Sequence, residues 1–324
     1  MPSNTLMKQK HLINQILPKR HGFRYYDQET QQYDIAQLGQ DLSFAETEDS
    51  FFISKSRIPK NIMMRTNELV YLIEFLKCDG TLSIVKRPTH FIGSVIFTST
   101  NEDYSAVLSS LLSKQFDGML ITKRKDGFKI SSLALAVLLA TIYSVPVGKK
   151  TLVSKTCISP RSFEEARMIA RAVIDTEGHF EEYAGDIVIG NQDKQYLSSY
   201  QDVIKQWLDI KTITLSPSKG WTYTNRISVS KDADVLKIQQ IRLLNPSKQS
   251  QLDLFAKSIH EYSNSRDILR QKVAEQFTSP KTIREVSSIL KITPNIVLRI
   301  MKTLKFRRVS KRGRQTVFLL DHIP

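Results

Sequence analysis

The sequence has few cysteines, few acidic residues relative to basic ones, and no long apolar stretch. Two cysteines are too few for a disulfide framework or for a cysteine-ligated zinc site. The longest apolar run, from Leu133 to Ile142, is much shorter than the roughly 20 residues that a membrane-spanning helix needs. No apolar signal segment follows the charged N-terminal residues, so we expect an intracellular protein.

The shortage of acidic residues gives the chain a strong positive charge. Lysine and arginine number 47 and aspartate and glutamate 32, for a formal net charge of +15. Such a charge favours a polyanionic partner. The last fifth of the chain, from Asn264 to Pro324, carries about two thirds of the excess. Membrane lipid is a competing polyanion, but no long basic amphipathic helix favours it. We therefore expect a nucleic-acid partner and no membrane contact. The protein itself is expected to be cytoplasmic and associated with the nucleoid.

Two similar stretches, LIEFLKCDG from Leu72 to Gly80 and ARAVIDTEG from Ala170 to Gly178, organise the rest of the sequence. Each is a run of helix formers with an apolar stripe that ends in an acidic residue followed by glycine. A glycine after a helix predicts a left-handed C-terminal turn. The carboxylates of Asp79 and Glu177 would then lie in the last helical turn, where the helix dipole disfavours them. A costly placement that occurs twice suggests a function.

The order of predicted elements also repeats. Each half reads helix–strand–strand–helix–strand–strand–helix, with the strand near residues 180–183 the least clear. Asp79 and Lys150 are 71 residues apart, and so are Glu177 and Lys248. Ser162 followed by Glu165 predicts a capping box that opens the second motif helix. We expect an α+β fold of two halves about a pseudo-two-fold axis.

The two stretches resemble the LAGLIDADG motif of homing endonucleases. The second is the closer match, and the first departs at Glu74, where the family usually has a glycine that lets the paired helices touch. A buried Glu74 would be costly unless paired, so it either turns toward solvent or pairs with a lysine or arginine. The resemblance covers roughly residues 58–250 and rests on the following residues: Leu72, Leu76, Asp79 and Gly80 in the first motif, and Ala172, Ile174, Asp175, Glu177 and Gly178 in the second.

The resemblance implies a centre for DNA cleavage. In the family, the acids that correspond to Asp79 and Glu177 bind metal and cut the two DNA strands. Carboxylate oxygens with room for water and phosphate suit Mg²⁺. Lysines in the region of Lys150 and Lys248 lie near the scissile phosphates, so we expect these two as catalytic helpers, with Lys149 the competing choice in the first half. A single chain with both motifs is expected to act as a monomer.

The strands after each motif are expected to form saddle-shaped antiparallel sheets over the major groove. In the second half, one strand face is polar (Thr222, Thr224, Arg226, Ser228 and Ser230), whereas Ile227 and Val229 point inward. The residues expected to contact DNA from the two sheets are Lys86, Arg87, Lys123, Lys125, Lys129, Thr224 and Arg226.

The basic C-terminal region has the pattern of a winged helix–turn–helix. Helices are predicted over 267–277, 282–290 and 294–304, followed by a basic hairpin over 306–320. The third helix is the predicted recognition helix. The residues expected to contact DNA from this region are Asn295, Arg299, Lys302, Arg308, Lys311, Arg312 and Arg314.

The expected domains are an N-terminal extension (1–57), two LAGLIDADG repeats (58–155 and 156–252) and the winged helix (265–324). The extension is expected to hold a small helix and an acidic loop over 41–50. The expected function is site-specific, Mg²⁺-dependent cleavage of double-stranded DNA. The alternative is a non-cleaving DNA-binding transcriptional regulator on the same fold, although such regulators usually lose the acids. An RNA maturase is less favoured.

Overall fold

The structure is a computed structural model that describes residues 24–26, 32–34, 42–87, 89–148, 155–215, 225–313 and 315–320. Ahead of the first motif it shows short strands. β1 (Arg24–Tyr26) and β2 (Gln32–Asp34) form a hairpin, and β3 (Phe44–Glu46), β4 (Ser50–Ile53) and β5 (Ser56–Pro59) form a three-stranded sheet. The prediction of a loop over residues 41–50 was wrong in part, because β3 pairs with β4 there. The small N-terminal helix lies outside the described residues.

The two repeats follow, each with three helices and four strands. A short 3-10 turn, Lys60–Met63, precedes the first repeat. The elements of the first repeat are α1 (Asn67–Cys78), β6 (Gly80–Lys86), β7 (Phe91–Thr98), α2 (Glu102–Gln115), β8 (Ile121–Arg124), β9 (Gly127–Ile130) and α3 (Leu133–Tyr143). Those of the second are α4 (Phe163–Glu177), β10 (Gly178–Glu181), β11 (Asp186–Asn191), α5 (Lys194–Leu208), β12 (Ile213–Leu215), β13 (Asn225–Val229) and α6 (Asp232–Ile241).

The two sheets have the same strand order, which confirms the duplication. The first is ordered β6-β7-β9-β8 and the second β10-β11-β13-β12, and every neighbouring pair is antiparallel. The strand that was least clear from sequence is β10. Leu82 and Ile84 are buried, as the alternating pattern of β6 predicted. The fold is therefore the α+β class that the sequence predicts.

Helices α1 and α4 pack against each other, and one hydrophobic core extends through both repeats. Thr66 caps α1 by accepting the Leu69 N–H, and Ser162 caps α4 by accepting the Glu165 N–H at 3.2 Å. The predicted capping box is incomplete, because the Glu165 carboxylate accepts from the Arg161 N–H and from Arg65 instead. The Arg65 bond ties the entry of α1 to the start of α4.

The C-terminal part has an apolar core of its own. The long helix α7 (Pro246–Asn264) leads into it. The remaining elements are α8 (Arg266–Gln276), β14 (Lys281–Thr282), α9 (Ile283–Leu290), α10 (Pro294–Met301), β15 (Phe306–Arg312) and β16 (Gln315–Leu320), with the strands ordered β14-β16-β15. Lys291, between α9 and α10, has a φ of 53°, and Gly313, in the hairpin turn, has a φ of 60°. Within the ranges described, no helix is both long enough and apolar enough to cross a bilayer.

Candidate active site at the paired motif helices

The two motif carboxylates lie at the same end of the α1–α4 pair. Asp79 is the C-cap of α1, with its N–H donating to Phe75 O at 2.8 Å, and Glu177 is the last residue of α4. Burial raises the pKa of the Cys78 thiol to about 12, and the charge of Glu177 adds to that shift. Since Cys78 precedes Asp79 directly, Glu177 lies within electrostatic range of the C-terminal end of α1.

The glycines after the acids are required by space and not by a left-handed turn. Gly178 has φ −73° and ψ 140°, an extended conformation, and Gly80 likewise has no positive φ. The predicted left-handed turn is therefore wrong. A Cβ on Gly80 would lie 2.7 Å from Leu76 Cα, and one on Gly178 would lie 2.5 Å from Ile174 O. At each glycine the chain passes so close to the last turn of the helix that a side chain there would collide with it.

Lys248, in the first turn of α7, is brought to the same centre. Its Nζ donates to the carbonyls of Ile174 at 2.9 Å and Thr176 at 3.1 Å, so it covers the C-terminal end of α4. Burial lowers the pKa of this ammonium, while the negative charges of Asp175, Asp79 and Glu177 oppose the shift. One partly buried cation therefore lies within electrostatic reach of both motif acids. The matched Lys150, and its competitor Lys149, lie outside the described residues.

A buried lysine that the sequence did not indicate, Lys155, covers the end of α1. The Nζ of Lys155 donates to the carbonyl of Lys77 and lies 4.7 Å from the centre of the Tyr196 ring. Its side chain is buried. The equal 71-residue spacing in the two halves predicted Lys150 as the counterpart of Lys248 instead. Lys155 thus performs in the first half the carbonyl-capping role that Lys248 performs in the second.

Asn191 is a further residue that sequence reasoning missed. Its Nδ2 donates to Glu177 Oε1 at 2.8 Å from the buried end of β11. The same side chain accepts the Asp193 N–H at 3.0 Å, which fixes the orientation of the amide. Nothing in the sequence pattern marked Asn191, because its role depends on how β11 pairs next to the end of α4.

One turn below Asp79, α1 carries a buried ion pair. Glu74 and Lys77 are 0% and 1% exposed, and Lys77 Nζ lies 3.0 Å from Glu74 Oε1. Glu74 also accepts the Ile158 N–H at 2.8 Å and the Tyr196 hydroxyl at 2.7 Å, while Lys77 donates to Thr156 O at 2.9 Å. Of the two alternatives for Glu74, pairing with a lysine is confirmed. This network lets the residue be buried without an unpaired charge.

The corresponding layer of α4 contains Asp175, which is satisfied differently. Its carboxylate accepts the Tyr71 hydroxyl at 2.8 Å and the backbone N–H groups of Leu244 at 3.0 Å and Asn245 at 3.1 Å. Burial raises the pKa of Asp175 to about 6, although these hydrogen bonds oppose the shift. Because Tyr71 belongs to α1, this bond also joins the two motif helices.

The chemistry of the centre fits a divalent metal ion. No group of three histidine, cysteine or acidic residues that could hold a metal ion occurs among the described residues. The carboxylates of Asp79 and Glu177 are hard oxygen ligands of the kind that divalent cations take together with water.

The residues predicted to contact DNA from the two sheets differ in exposure. Lys123 and Lys125 are exposed, and Arg87, Lys129 and Arg226 are half-buried. The side chain of Lys86 and all of Thr224 lie outside the described residues.

The polar face predicted for β13 was wrong at Ser228. This residue is fully buried and donates to Asp186 Oδ2 at 3.0 Å. The neighbouring β11 supplies the acceptor, so the hydroxyl is satisfied without reaching solvent or a ligand. Ile227 and Val229 point into the core, as predicted.

Two predicted contacts of the C-terminal part are used within the protein. Asn295 is buried and its N–H donates to Glu182 O at 3.0 Å, while the Arg299 guanidinium makes two hydrogen bonds to Asp232, at 2.7 and 2.9 Å. Both differ from the expectation, because α10 packs on the second repeat. Lys302 is exposed, as are Arg308, Lys311 and Arg312 on β15, with Arg312 hydrogen-bonded to Glu285. Arg314 lies outside the described residues.

No protein-family model matches the sequence, and no curated protein matches it significantly. Solved structures do match. A mesophilic variant of the homing endonuclease I-DmoI is 14% identical with a TM-score of 0.41, over 57% of this chain and 99% of that chain. Full-length DUF199/WhiA from Thermatoga maritima is 12% identical with a TM-score of 0.37, over 75% and 95%. Meganuclease I-SmaMI bound to uncleaveable DNA is 10% identical with a TM-score of 0.42, over 60% and 91%.

These matches include LAGLIDADG proteins, the family that the two motifs resemble. The N-terminal part of DUF199/WhiA, described as a LAGLIDADG domain, matches at 12% identity with a TM-score of 0.33. At these identities the likeness concerns the fold.

Proposed function

We propose that this protein is a site-specific endonuclease that cleaves double-stranded DNA at the centre formed by Asp79 and Glu177. The observation that supports this most strongly is the convergence of both acids and one partly buried lysine, Lys248, at the same end of the helix pair. A duplicated fold that presents one acid from each half suits a substrate with two antiparallel strands to cut. The chain is then expected to act as a monomer.

The residues of the centre have separate roles in this proposal. Asp79 and Glu177 would hold Mg²⁺, and the bound ion would supply an activated water and neutralise charge on the phosphate. Asn191 orients the Glu177 carboxylate. Lys248 in the second half, and Lys150 in the first, offset the negative charge that builds up at the phosphate during hydrolysis.

The DNA would lie along the two sheets. Exposed Lys123 and Lys125 and half-buried Arg226 suit contacts to phosphates and base edges. Residues 58–155 and 156–252 are the two repeats of this proposal, and residues 265–324 form a winged helix that adds basic surface. A protein that acts on chromosomal DNA in this way would be found with the nucleoid.

The direct test is cleavage of a randomised double-stranded DNA library with Mg²⁺ by the wild type, Asp79→Asn and Glu177→Gln. Fragments with staggered ends that appear only with the wild type would support the proposal and reveal the site. If none of the three proteins cuts, and all bind one recovered sequence equally, the endonuclease proposal is overturned.

The second candidate is a DNA-binding regulator that does not cleave. The observation that favours it is the C-terminal part, which has its own core and a large share of the positive charge. Sequence-selective binding without cleavage in the same library experiment is the outcome that this candidate predicts.

A further inference from the structure

Helix α10, the predicted recognition helix, is docked onto the rest of the protein along its length. At its start, the Thr293 N–H donates to Ser258 Oγ of α7 at 2.9 Å. In its first turn, the Asn295 N–H donates to Glu182 O. One turn later, Arg299 pairs with Asp232 at the start of α6, and the Arg299 pKa is raised by these hydrogen bonds. Three elements of the chain thus hold one helix.

The contact at Asn295 is too close to admit a DNA base. Asn295 is 5% exposed, and a Cβ built on Gly185 would lie 2.8 Å from Asn295 Cγ. Gly185 also has a φ of 80°, so the β10–β11 turn is shaped to approach the helix. A side chain this well enclosed cannot read base edges while the helix is docked.

The docking site lies at the outer end of the second sheet. Strand β10 begins directly after Glu177 and runs away from it, so the Glu182–Gly185 turn is about 13 Å further along the strand direction. β13 ends at the same end of the sheet, since Val229 pairs with Ile187. Asp232 follows β13 in the chain and therefore lies at this end as well. The C-terminal part therefore extends the second repeat away from the carboxylate centre.

The hairpin and the segment before it hold the densest group of exposed basic residues in the C-terminal part. β15 is the edge strand of its sheet, and its residues from Arg307 to Arg312 are all exposed. Lys302 and Lys305, between α10 and β15, are exposed as well. Cations on one edge strand suit contacts to the phosphates of a duplex, which need charge but no groove-sized reading element.

We propose that the C-terminal part binds the phosphate backbone of DNA flanking the second repeat through β15 and the segment before it, and that α10 is the anchor fixing this part to the second repeat. The inference rests on the proposed function, because it takes duplex DNA as the partner. It departs from the usual role of a helix–turn–helix, in which the second helix enters the major groove.

The test separates anchoring from reading by a charge swap. Arg299→Asp breaks the pair with Asp232, and the double variant Asp232→Arg/Arg299→Asp restores an opposite-charge pair with no net change in charge. A triple variant, Lys305→Gln/Arg308→Gln/Lys311→Gln, removes charge from the hairpin region. Lys272→Gln is the control within the same part, since Lys272 is an exposed lysine of α8 outside the hairpin. The affinity of each full-length protein for a mixed-sequence duplex is measured as a function of salt concentration.

We expect the slope of log K against log salt to become shallower by up to about 3 in the triple variant, because up to three phosphate contacts are lost. The slope of Lys272→Gln should equal that of the wild type. Arg299→Asp should weaken binding, and the charge swap should restore it to within threefold of the wild type, since an anchor needs only its pair.

The proposal is overturned if the swap leaves binding as weak as Arg299→Asp does while the triple variant retains the wild-type slope. The arginine would then contact DNA itself. A wild type that binds no duplex DNA at any salt concentration would instead contradict the proposed function, and this outcome is distinguishable because it does not depend on either substitution.

Discussion

The two motif helices end alike but differ one turn below. Both present an acid at the C-terminal end, followed by a glycine whose strand leaves without room for a side chain. Beneath Asp79, α1 buries the Glu74–Lys77 pair within one helix, whereas beneath Glu177, α4 buries a single carboxylate, Asp175. The lysines that cap the two helix ends also differ in position, with Lys155 in the first half and Lys248 in the second.

The difference shows which features the duplication kept. The position of the carboxylate and the close exit of the strand are the same in both halves, as a centre shared by two DNA strands would require. The charges below that level are satisfied by neighbours that differ between the halves. Substitutions in the lower layer should therefore affect each half in its own way, and substitutions in the upper layer should affect both alike.

The largest expected effect on stability comes from breaking the buried pair of the first half. Lys77→Met leaves Glu74 buried without its cation and should destabilise the protein by about 3–5 kcal/mol. The double variant Glu74→Gln/Lys77→Met removes both charges and should recover most of that loss. Urea unfolding of both variants measures the effect. A Lys77→Met protein within about 1 kcal/mol of the wild type would show that the pair is not needed.

In the second half, the lone carboxylate should make stability depend on pH. Because burial raises the Asp175 pKa from 3.8 to about 6, the folded state binds its proton more tightly than the unfolded state. The stabilisation is complete below about pH 4 and is lost as the pH rises through 6, an effect of about 3 kcal/mol.

The measurement is urea unfolding of the metal-free protein between pH 4 and pH 7. The wild type should lose stability over this range relative to Asp175→Asn, while Asp202→Asn, at an exposed helix position, should follow the wild type. Parallel curves for wild type and Asp175→Asn would contradict the assignment of the buried carboxylate.

Replacing the glycine that follows each motif helix should be equally destabilising in the two halves. Gly80→Ala and Gly178→Ala each place a methyl group within 3 Å of the preceding helical turn and should destabilise by about 1–3 kcal/mol. Gly190→Ala is the matched control, because a Cβ there would meet nothing closer than 3.8 Å. Thermal unfolding of the three variants is sufficient. Equal losses in all three would show that crowding at the helix ends is not the cause.

The smallest predicted effect concerns the orientation of Glu177. Asn191→Ala removes the amide that donates to this carboxylate, and cleavage should fall by about 10-fold, as for residues that orient metal ligands. Gln201→Ala, whose amide donates to the Thr212 hydroxyl at 2.8 Å, is the control and should cleave at the wild-type rate. If both variants cleave normally, Asn191 has only a structural role.

Local sequence patterns could predict the repeats because their signals are local. Caps such as Ser162 and the alternation of β6 depend on residues close together in the chain, and the repeat is visible because the same order of local signals recurs at equal spacing. The two acids were found in the same way, from a helix pattern that ends in an acidic residue and glycine twice.

What the sequence could not predict depends on distant partners. The pairing of Glu74 was left open because Tyr196 and Ile158 complete its network from other elements. Ser228 was predicted to lie on an outward polar face, but in the structure its hydroxyl donates to the Asp186 carboxylate. Arg299 was predicted to contact DNA, because its pair with Asp232 joins residues far apart in the chain.

The most direct test of the shared centre is strand-resolved cleavage of the recovered target site, with binding measured in the same samples. Asp79→Asn and Glu177→Gln should each reduce cleavage by about 10²-fold or more, with the affinity for DNA within threefold of the wild type. Cleavage by either variant at the wild-type rate on both strands would contradict the claim that the two helix-end carboxylates form the catalytic centre.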